Sequence, residues 1–174
     1  MEHPRYNPPV LPDDGPSGRP RRLLRWPTYA LGQLSRAAAA RLEAALAEQG
    51  LSLRAHQVLV GLAELGQVSQ QHVCDAIGMD SSDMVRLLDR LEEVSQVVRD
   101  RDRTDRRRHL VSLTSAGRSA LRRGDAVVQR VTDEVLSPLS AAERRTLHRL
   151  ALRALGEPEE MAGSDSPKVD PRRS

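Results

Sequence analysis

The sequence predicts a mainly α-helical fold with one small β-hairpin. The chain has 174 residues, of which 39% are apolar but only 2% are aromatic, and it contains no Phe. A core must therefore be built from Leu, Val and Ala, which favours the packing of helices over a β-sandwich. Apolar residues recur at three- and four-residue spacing through the middle of the chain, and two short β-prone runs interrupt this period at residues 97–99 and 110–113. The length is that of about one domain.

Both ends of the chain lack this apolar period. Residues 1–25 contain six prolines and end in a cluster of arginines, so we predict a disordered, basic, Pro-rich arm. Such an arm is either a solvated leader or a segment that contacts the phosphates of a nucleic acid, and the sequence leaves both open. Residues 156–174 are predicted to be a disordered tail. The folded domain is therefore expected to span residues 26–155.

Six helices account for the folded part, and each is bounded by a capping residue or a glycine. They are predicted over residues 26–49, 52–66, 69–78, 80–94, 114–136 and 140–155. The predicted N-caps of the second to sixth helices are Ser52, Ser69, Asp80 or Ser81, Thr114 and Ser140. The first helix has an apolar stripe that includes Leu31, and the stripes of the last two helices, which include Val128 and Leu150, are expected to face inward.

The third and fourth helices are joined by a turn of two or three residues that begins at Gly78, which is the pattern of a helix-turn-helix. The hairpin that follows makes this a winged helix-turn-helix, predicted over about residues 52–114. In such a unit the second helix of the pair enters the major groove of DNA, which is wide enough to admit it. We therefore expect residues 81–94 to be a recognition helix.

The outward face of this helix carries groups that suit a DNA contact. If the apolar residues face the core, six side chains face away, and all but Asp89 are candidate DNA contacts: Ser81, Ser82, Val85, Arg86, Asp89 and Arg90. Serine hydroxyls and backbone N–H groups at a helix start can bind phosphate. Arg86 is placed to read a guanine edge, and Arg90 to contact a phosphate one turn later. The same residues would also make an ordinary solvated face, and the helix alone does not decide between the two.

The hairpin has a strongly basic tip. Residues 99–108 contain six Arg and three Asp, a net charge of +3, which equals the net charge of the whole chain. Arginine inserted into a narrow minor groove exploits the negative potential there, and each neutralised phosphate releases counterions. The alternative is an exposed Arg/Asp turn with weak internal ion pairs. The adjoining tandem helices favour a DNA-binding wing.

The run LLDRLEEVSQVVRDRDRTDRRRHLVSLTSAG, residues 87–117, resembles the signature of the multiple-antibiotic-resistance regulator (MarR) family. The resemblance extends over about residues 26–155. It implies a bacterial, homodimeric winged helix-turn-helix repressor whose dimer is formed by residues 26–49 and 115–155. The first helix and the last two also carry more apolar surface than one winged unit can cover, which favours a dimer. A two-fold symmetric dimer would bind a palindromic operator in double-stranded DNA.

The resemblance also assigns roles in the wing. The family's Asp-x-Arg pattern falls on Asp105 and Arg107. It implies that Arg107 enters the minor groove and that Asp105 orients its guanidinium group. The neighbouring Arg106 and Arg108 would then be additional phosphate contacts.

Three positions depart from the family's pattern. Ser95 stands where a glycine is common, and this position often needs a positive φ, which should cost a serine roughly 1 kcal/mol or force a different turn. Gln96 stands where an apolar residue is usual, and Asp83 where a small hydroxyl residue is frequent; an acid there suits the helix dipole but repels phosphate. These departures keep a second function open, a winged-helix protein-interaction module with weak or lost DNA binding.

The family resemblance further implies a small aromatic or acidic effector, bound between the dimer base and the DNA-reading unit. The candidate contacts are Trp26, Tyr29, Arg36 and His56, because Trp26 and Tyr29 are two of the few aromatic residues and the other two are polar. The alternative is that the aromatic pair anchors the leader and that His56 is a satisfied or exposed helix residue.

Other function classes are not supported by the sequence. Cys74, the single cysteine, cannot form an internal disulfide, which fits a reducing cytoplasm, and its place on an apolar helix face argues against redox sensing. No apolar run is long enough to span a membrane, and the first residues lack the apolar core of a secretory signal. We find no Gly-rich phosphate loop, serine elbow or ligand-spaced His cluster, so no enzyme activity, metal or cofactor is expected.

Overall fold

A computed structural model describes residues 22–101 and 109–158, and it has the predicted fold class of six helices with a small wing. After one 3-10 turn at Leu23–Arg25, the elements are α1 Pro27–Ala47, α2 Leu53–Leu65, β1 Val68–Ser69, α3 Gln70–Ile77, α4 Ser81–Glu93, β2 Val97–Arg101, β3 His109–Leu113, α5 Ser115–Val135 and α6 Ala141–Leu155. The chain divides after Thr132 into two compact units; the larger holds α1 to α4, the sheet and most of α5, and the smaller holds α6.

The helix starts follow from their caps. The Ser52 hydroxyl accepts a hydrogen bond from the Ala55 amide at 3.0 Å, and the Asp80 carboxylate accepts one from the Ser82 amide at 2.8 Å. Asp80, rather than Ser81, is therefore the cap of α4. The remaining predicted caps are also confirmed, at Ser69, Thr114 and Ser140. Each cap satisfies an amide that would otherwise have no partner in its helix.

The wing is a three-stranded antiparallel sheet in the order β1-β3-β2. The predicted hairpin pairs β2 with β3 from Val97 opposite Leu113 to Arg101 opposite His109. The third strand, β1, was not predicted and pairs Val68 with Val111. Two residues are too short to show the alternation of apolar and polar side chains by which a strand is found in a sequence.

The core of the larger unit lies between α2, α4, β3 and α5. Fully buried side chains include Val58, Leu59, Met84, Leu88 and Val111. Within α5, Val127 is buried and Val128 only half-buried, so the predicted row is wrong at this position. The buried row of α5 includes Gly117 and Gly124, and glycines carry no hydropathy signal by which the row could have been followed.

The apolar stripes of α1 and α6 are open in the part of the chain that the structure describes. Leu46 is the residue of α1 that is buried, whereas Leu31 is 50% exposed. Along α6 no side chain of the described chain is buried, and Leu150 and Leu155 are exposed. The inward packing expected of Leu150 is thus not found among the described residues, and the stripe of α1 is likewise open at Leu31.

Candidate nucleic-acid interface

The outward face of α4 is the predicted one. Met84, Leu88 and Leu91 are buried, and this row fixes the rotation of the helix. The five predicted contact residues are all exposed, namely Ser81, Ser82, Val85, Arg86 and Arg90. The exposure of this face is confirmed, and the contact roles of its residues remain predictions.

At the start of α4, the Asp80 carboxylate accepts hydrogen bonds from both the amide and the hydroxyl of Ser82. It accepts from the Ser82 hydroxyl at 2.6 Å as well as from the Ser82 amide. These bonds, the hydroxyl first, hold the pKa of Asp80 below its usual value. A phosphate bound at Ser82 would therefore have to displace a carboxylate.

Asp83, in the first turn of α4, pairs with two arginines. Its Oδ1 lies 3.0 Å from Arg86 Nη2, and its Oδ2 lies 3.3 Å from Arg54 Nη1. Arg86 is nonetheless 71% exposed, so its guanidinium group stays accessible from solvent. Arg54, at the start of α2, was not singled out from the sequence; it is 29 residues away from Asp83 along the chain, and no local pattern joins the two.

These charges surround a groove of about 340 Å³ between the start of α2 and α4. It is lined by Ser52, Arg54, Met79, Asp83, Arg86, Leu87 and Arg90. Three of the lining residues are arginines and one is an aspartate, which gives the groove an excess positive charge suited to an anion.

Arg99, on β2, points its guanidinium group at α4. Arg99 Nη1 donates to Asp89 Oδ1 at 2.6 Å and to Glu92 Oε2 at 2.9 Å. The Arg99 amide also donates to Glu92 Oε1 at 3.2 Å. In the sequence, Arg99 belongs to the basic run of residues 99–108. In the structure, its guanidinium group forms ion pairs with two carboxylates of α4.

The turn from α4 to β2 has the geometry expected of a glycine. Ser95 has a φ of +57°, its amide donates to the Glu92 carbonyl at 2.8 Å, and the Gln96 amide donates to the Leu91 carbonyl at 2.8 Å. This is a Schellman motif with a serine at the left-handed position. The positive φ expected at this position is therefore confirmed, with a serine in place of a glycine. Gln96 is half-buried, and its Oε1 has no hydrogen-bond partner among the described residues.

The predicted wing contacts Asp105, Arg106, Arg107 and Arg108 lie outside the described residues. The strands that lead to them are described as far as Arg101 and His109, which pair with each other. The roles of the four residues remain predictions from the sequence.

The four residues predicted for an effector have different surroundings. Trp26 is 66% exposed, Arg36 is exposed and Tyr29 is half-buried. His56 is only 7% exposed, and its Nε2 lies 2.9 Å from Asp125 Oδ1 on α5. A Cβ on Gly124 would overlap with the His56 ring, so this glycine makes room for the imidazole. None of the four lines the groove, and their grouping as an effector pocket remains a prediction.

The described residues offer no reactive thiol, metal site or membrane-spanning helix. Cys74 is buried, and burial raises the pKa of its thiol, which disfavours the reactive thiolate. Within residues 22–101 and 109–158, no cluster of His, Cys, Asp or Glu could hold a metal ion. Among the helices of that part of the chain, none combines the length and the apolarity that a membrane span needs.

Comparison with known proteins gives consistent results. A model of the MarR family matches residues 49–108. A protein of Thauera aromatica, named as a candidate transcriptional regulatory protein for the hcr operon, is 34% identical over 99 residues. That alignment covers 57% of this chain and 60% of the relative, so the chain spans less than two thirds of the relative's length.

Two solved structures extend the match. A probable transcriptional regulator from Pseudomonas aeruginosa is 32% identical, with a TM-score of 0.68 over 76% of this chain and 99% of that one. A MarR family protein from Mycobacterium tuberculosis, crystallised with p-aminosalicylic acid, is 26% identical, with a TM-score of 0.64 over 76% of this chain and 99% of that one. The fold, the family match across the winged unit and the near-complete coverage of a relative agree, and the chain is therefore a member of the MarR family of winged helix-turn-helix transcriptional regulators.

Proposed function

We propose that this chain binds operator DNA sequence-specifically as a homodimer and represses transcription until a small-molecule effector releases it. The observation that carries the proposal is the outward face of α4. Arg86 and Arg90 are exposed on the second helix of the helix-turn-helix, and Arg54 reaches the same groove from α2. Membership of a family of transcriptional regulators supports the same conclusion.

The arginines divide by position. Arg86, near the start of α4, contacts a guanine edge in the major groove, where a bidentate contact is worth roughly 1–3 kcal/mol of discrimination. Arg90 and Arg54 contact backbone phosphates, which adds affinity and salt dependence without reading sequence. The wing adds Arg107 in the minor groove, oriented by Asp105, with Arg106 and Arg108 on phosphates.

The homodimer is supported by the open stripes of α1 and α6. Leu31, Leu150 and Leu155 are exposed in the single chain, and a second copy would cover them. A two-fold dimer presents two copies of α4, and half-sites about 10 bp apart would match them. The operator is accordingly palindromic.

The effector is a small aromatic or acidic molecule. The M. tuberculosis relative was crystallised with p-aminosalicylic acid, which is an aromatic acid. Trp26, Tyr29, Arg36 and His56 are the residues proposed to contact the effector. Trp26 is the chain's only tryptophan, so its fluorescence reports ligand binding near the start of α1.

A protein-interaction module is the second candidate. Asp83 pairs with both Arg54 and Arg86, and Asp80 holds the hydroxyl and amide of Ser82. If these carboxylates keep their partners in the presence of DNA, the winged fold persists without DNA affinity.

Binding to DNA that flanks the chain's own gene separates the two candidates. Fluorescence anisotropy across a salt series should show tight, selective binding, with a slope of log K against log salt of about −0.9 for each phosphate contacted. Arg86→Ala should relax sequence preference, and Arg107→Ala should weaken binding to all sequences. Arg172→Ala, an equal charge change in the predicted tail and outside the helices of the predicted dimer, is the matched control. Binding that is weak and unselective would favour the interaction module, and an Arg107→Ala protein that binds like the parent would refute the wing assignment.

A further inference from the structure

Arg99 joins the wing to the recognition helix. It is the one residue of β2 whose side chain and amide both bond to α4 within the described chain. Arg99 Nη2 also lies 3.4 Å from the Val85 carbonyl oxygen. The contacts thus extend over two turns of α4, from Val85 to Glu92.

The surroundings of Arg99 differ from those of a phosphate contact. Its side chain is 20% exposed, whereas the side chains of Asp89 and Glu92 are 51% and 41% exposed. The cation is therefore covered, and the two anions are the groups that solvent reaches. Arg99 Nη1 donates to both carboxylates, at 2.6 and 2.9 Å, so this nitrogen already has anionic acceptors within the chain.

We propose that Arg99 is a positioning residue for DNA binding: it fixes α4 against the wing strand and screens the Asp89 and Glu92 carboxylates from the DNA backbone. This inference rests on the proposed function. Without Arg99, two uncompensated negative charges would remain on the helix that enters the major groove. The wing strand would also lose the side-chain contacts that set its angle to α4.

A double-mutant cycle tests this role. Arg99→Ala should weaken operator binding by about tenfold or more, because it removes one partner of a hydrogen-bonded charge group. The slope of log K against log salt should change by less than about 0.9, which is the change expected when one phosphate contact is lost. In the Asp89→Asn, Glu92→Gln background, the same Arg99→Ala change should cost much less, about threefold or under, since no carboxylates are left to screen.

Arg99→Lys separates position from charge. A lysine keeps the positive charge but has one nitrogen, so it cannot bond to the two carboxylates through one nitrogen and to the Val85 carbonyl through a second, as Arg99 Nη1 and Nη2 do. Operator affinity should fall several-fold although the net charge is unchanged, and this variant also covers the case in which Arg99→Ala fails to fold. Arg172→Ala, in the predicted tail, should bind like the parent in every background.

The outcomes distinguish the two proposals. If the parent binds its operator but Arg99→Ala costs the same factor with and without the carboxylates and lowers the salt slope by about one, Arg99 is a phosphate contact and this inference is wrong. An Arg99→Lys protein that binds like the parent would also overturn it. A parent that binds no DNA selectively would overturn the proposed function, and this inference with it.

Discussion

Helices α4 and α1 are both amphipathic, but their apolar faces are covered differently. In 13 residues α4 buries Met84, Leu88 and Leu91, whereas in 21 residues α1 buries Leu46. The winged unit therefore has its core within one chain. The helices expected to form the dimer have apolar surface that the described residues do not cover, and the proposed second copy would lie on this side.

The largest expected effect compares two leucines of α1. Leu46 is fully buried, so Leu46→Ala should lower the free energy of unfolding by about 2–5 kcal/mol. Leu31→Ala should leave the unfolding of the monomer almost unchanged and weaken the dimer instead. Urea denaturation at several protein concentrations, together with sedimentation equilibrium, separates the free energy of unfolding of the monomer from the dissociation constant of the dimer. Equal losses of monomer stability for both variants would contradict the comparison.

The second prediction compares two glycines. Gly117, in α5, lies against the turn after α4, and a Cβ there would overlap with the carbonyl oxygen of Gln96. Gly117→Ala should therefore destabilise the protein by about 1–3 kcal/mol, because the obstacle is backbone. Gly32, in α1, has no atom within 4 Å of such a Cβ. Gly32→Ala should stabilise the monomer by about 0.5–1 kcal/mol through helix propensity. Thermal unfolding of both variants should show opposite signs, and the same sign would refute the prediction.

The third prediction concerns the end of α4. Ser95 has a φ of +57°, and a glycine adopts this conformation at little cost. Ser95→Gly should raise the free energy of unfolding by about 1 kcal/mol, because the strain at this position is relieved. The greater conformational entropy of the unfolded glycine variant should offset part of this gain. Chemical denaturation measures the change. A loss of stability would mean that the serine side chain makes a contact worth more than the strain.

The smallest effect concerns acid. Hydrogen bonds from Ser82 lower the pKa of Asp80 from the usual 3.8, so the ionised carboxylate stabilises the folded state above that pH. This contribution is lost as the pH falls through the lowered pKa. Asp80→Ala should therefore lower the unfolding temperature near neutral pH, and the gap from the parent should narrow below pH 3.8. A gap that stays constant down to pH 2 would exclude this role.

The sequence predicted what local signals determine. The helix starts depend on single capping residues, and Ser52 and Ser140 were found from their position before an apolar run. The left-handed turn at Ser95 followed from the family's glycine at this position. Fold class and the exposed face of α4 needed only periodicity and order of elements.

Contacts between distant segments could not be predicted. Nothing near Arg54 indicates that it meets Asp83, because the pairing depends on how α2 packs beside α4. Arg99 illustrates the limit best: the sequence places it in a basic run, and only the pairing of β2 with its neighbours turns its side chain to Asp89 and Glu92. Composition gives the number of charges, but the fold decides which of them face a ligand.

Asp83 has a consequence for discrimination in the proposed complex. Since Arg54 and Arg86 already have an anionic partner in the free protein, any duplex must offer a better one before either arginine leaves it. A random sequence offers only a modest exchange, whereas a correctly placed guanine offers two acceptors at once. The cost of leaving Asp83 is the same at every site, so this carboxylate lowers the strength of every encounter, and the difference between the right site and the many wrong ones is set by the guanine acceptors that Arg86 finds.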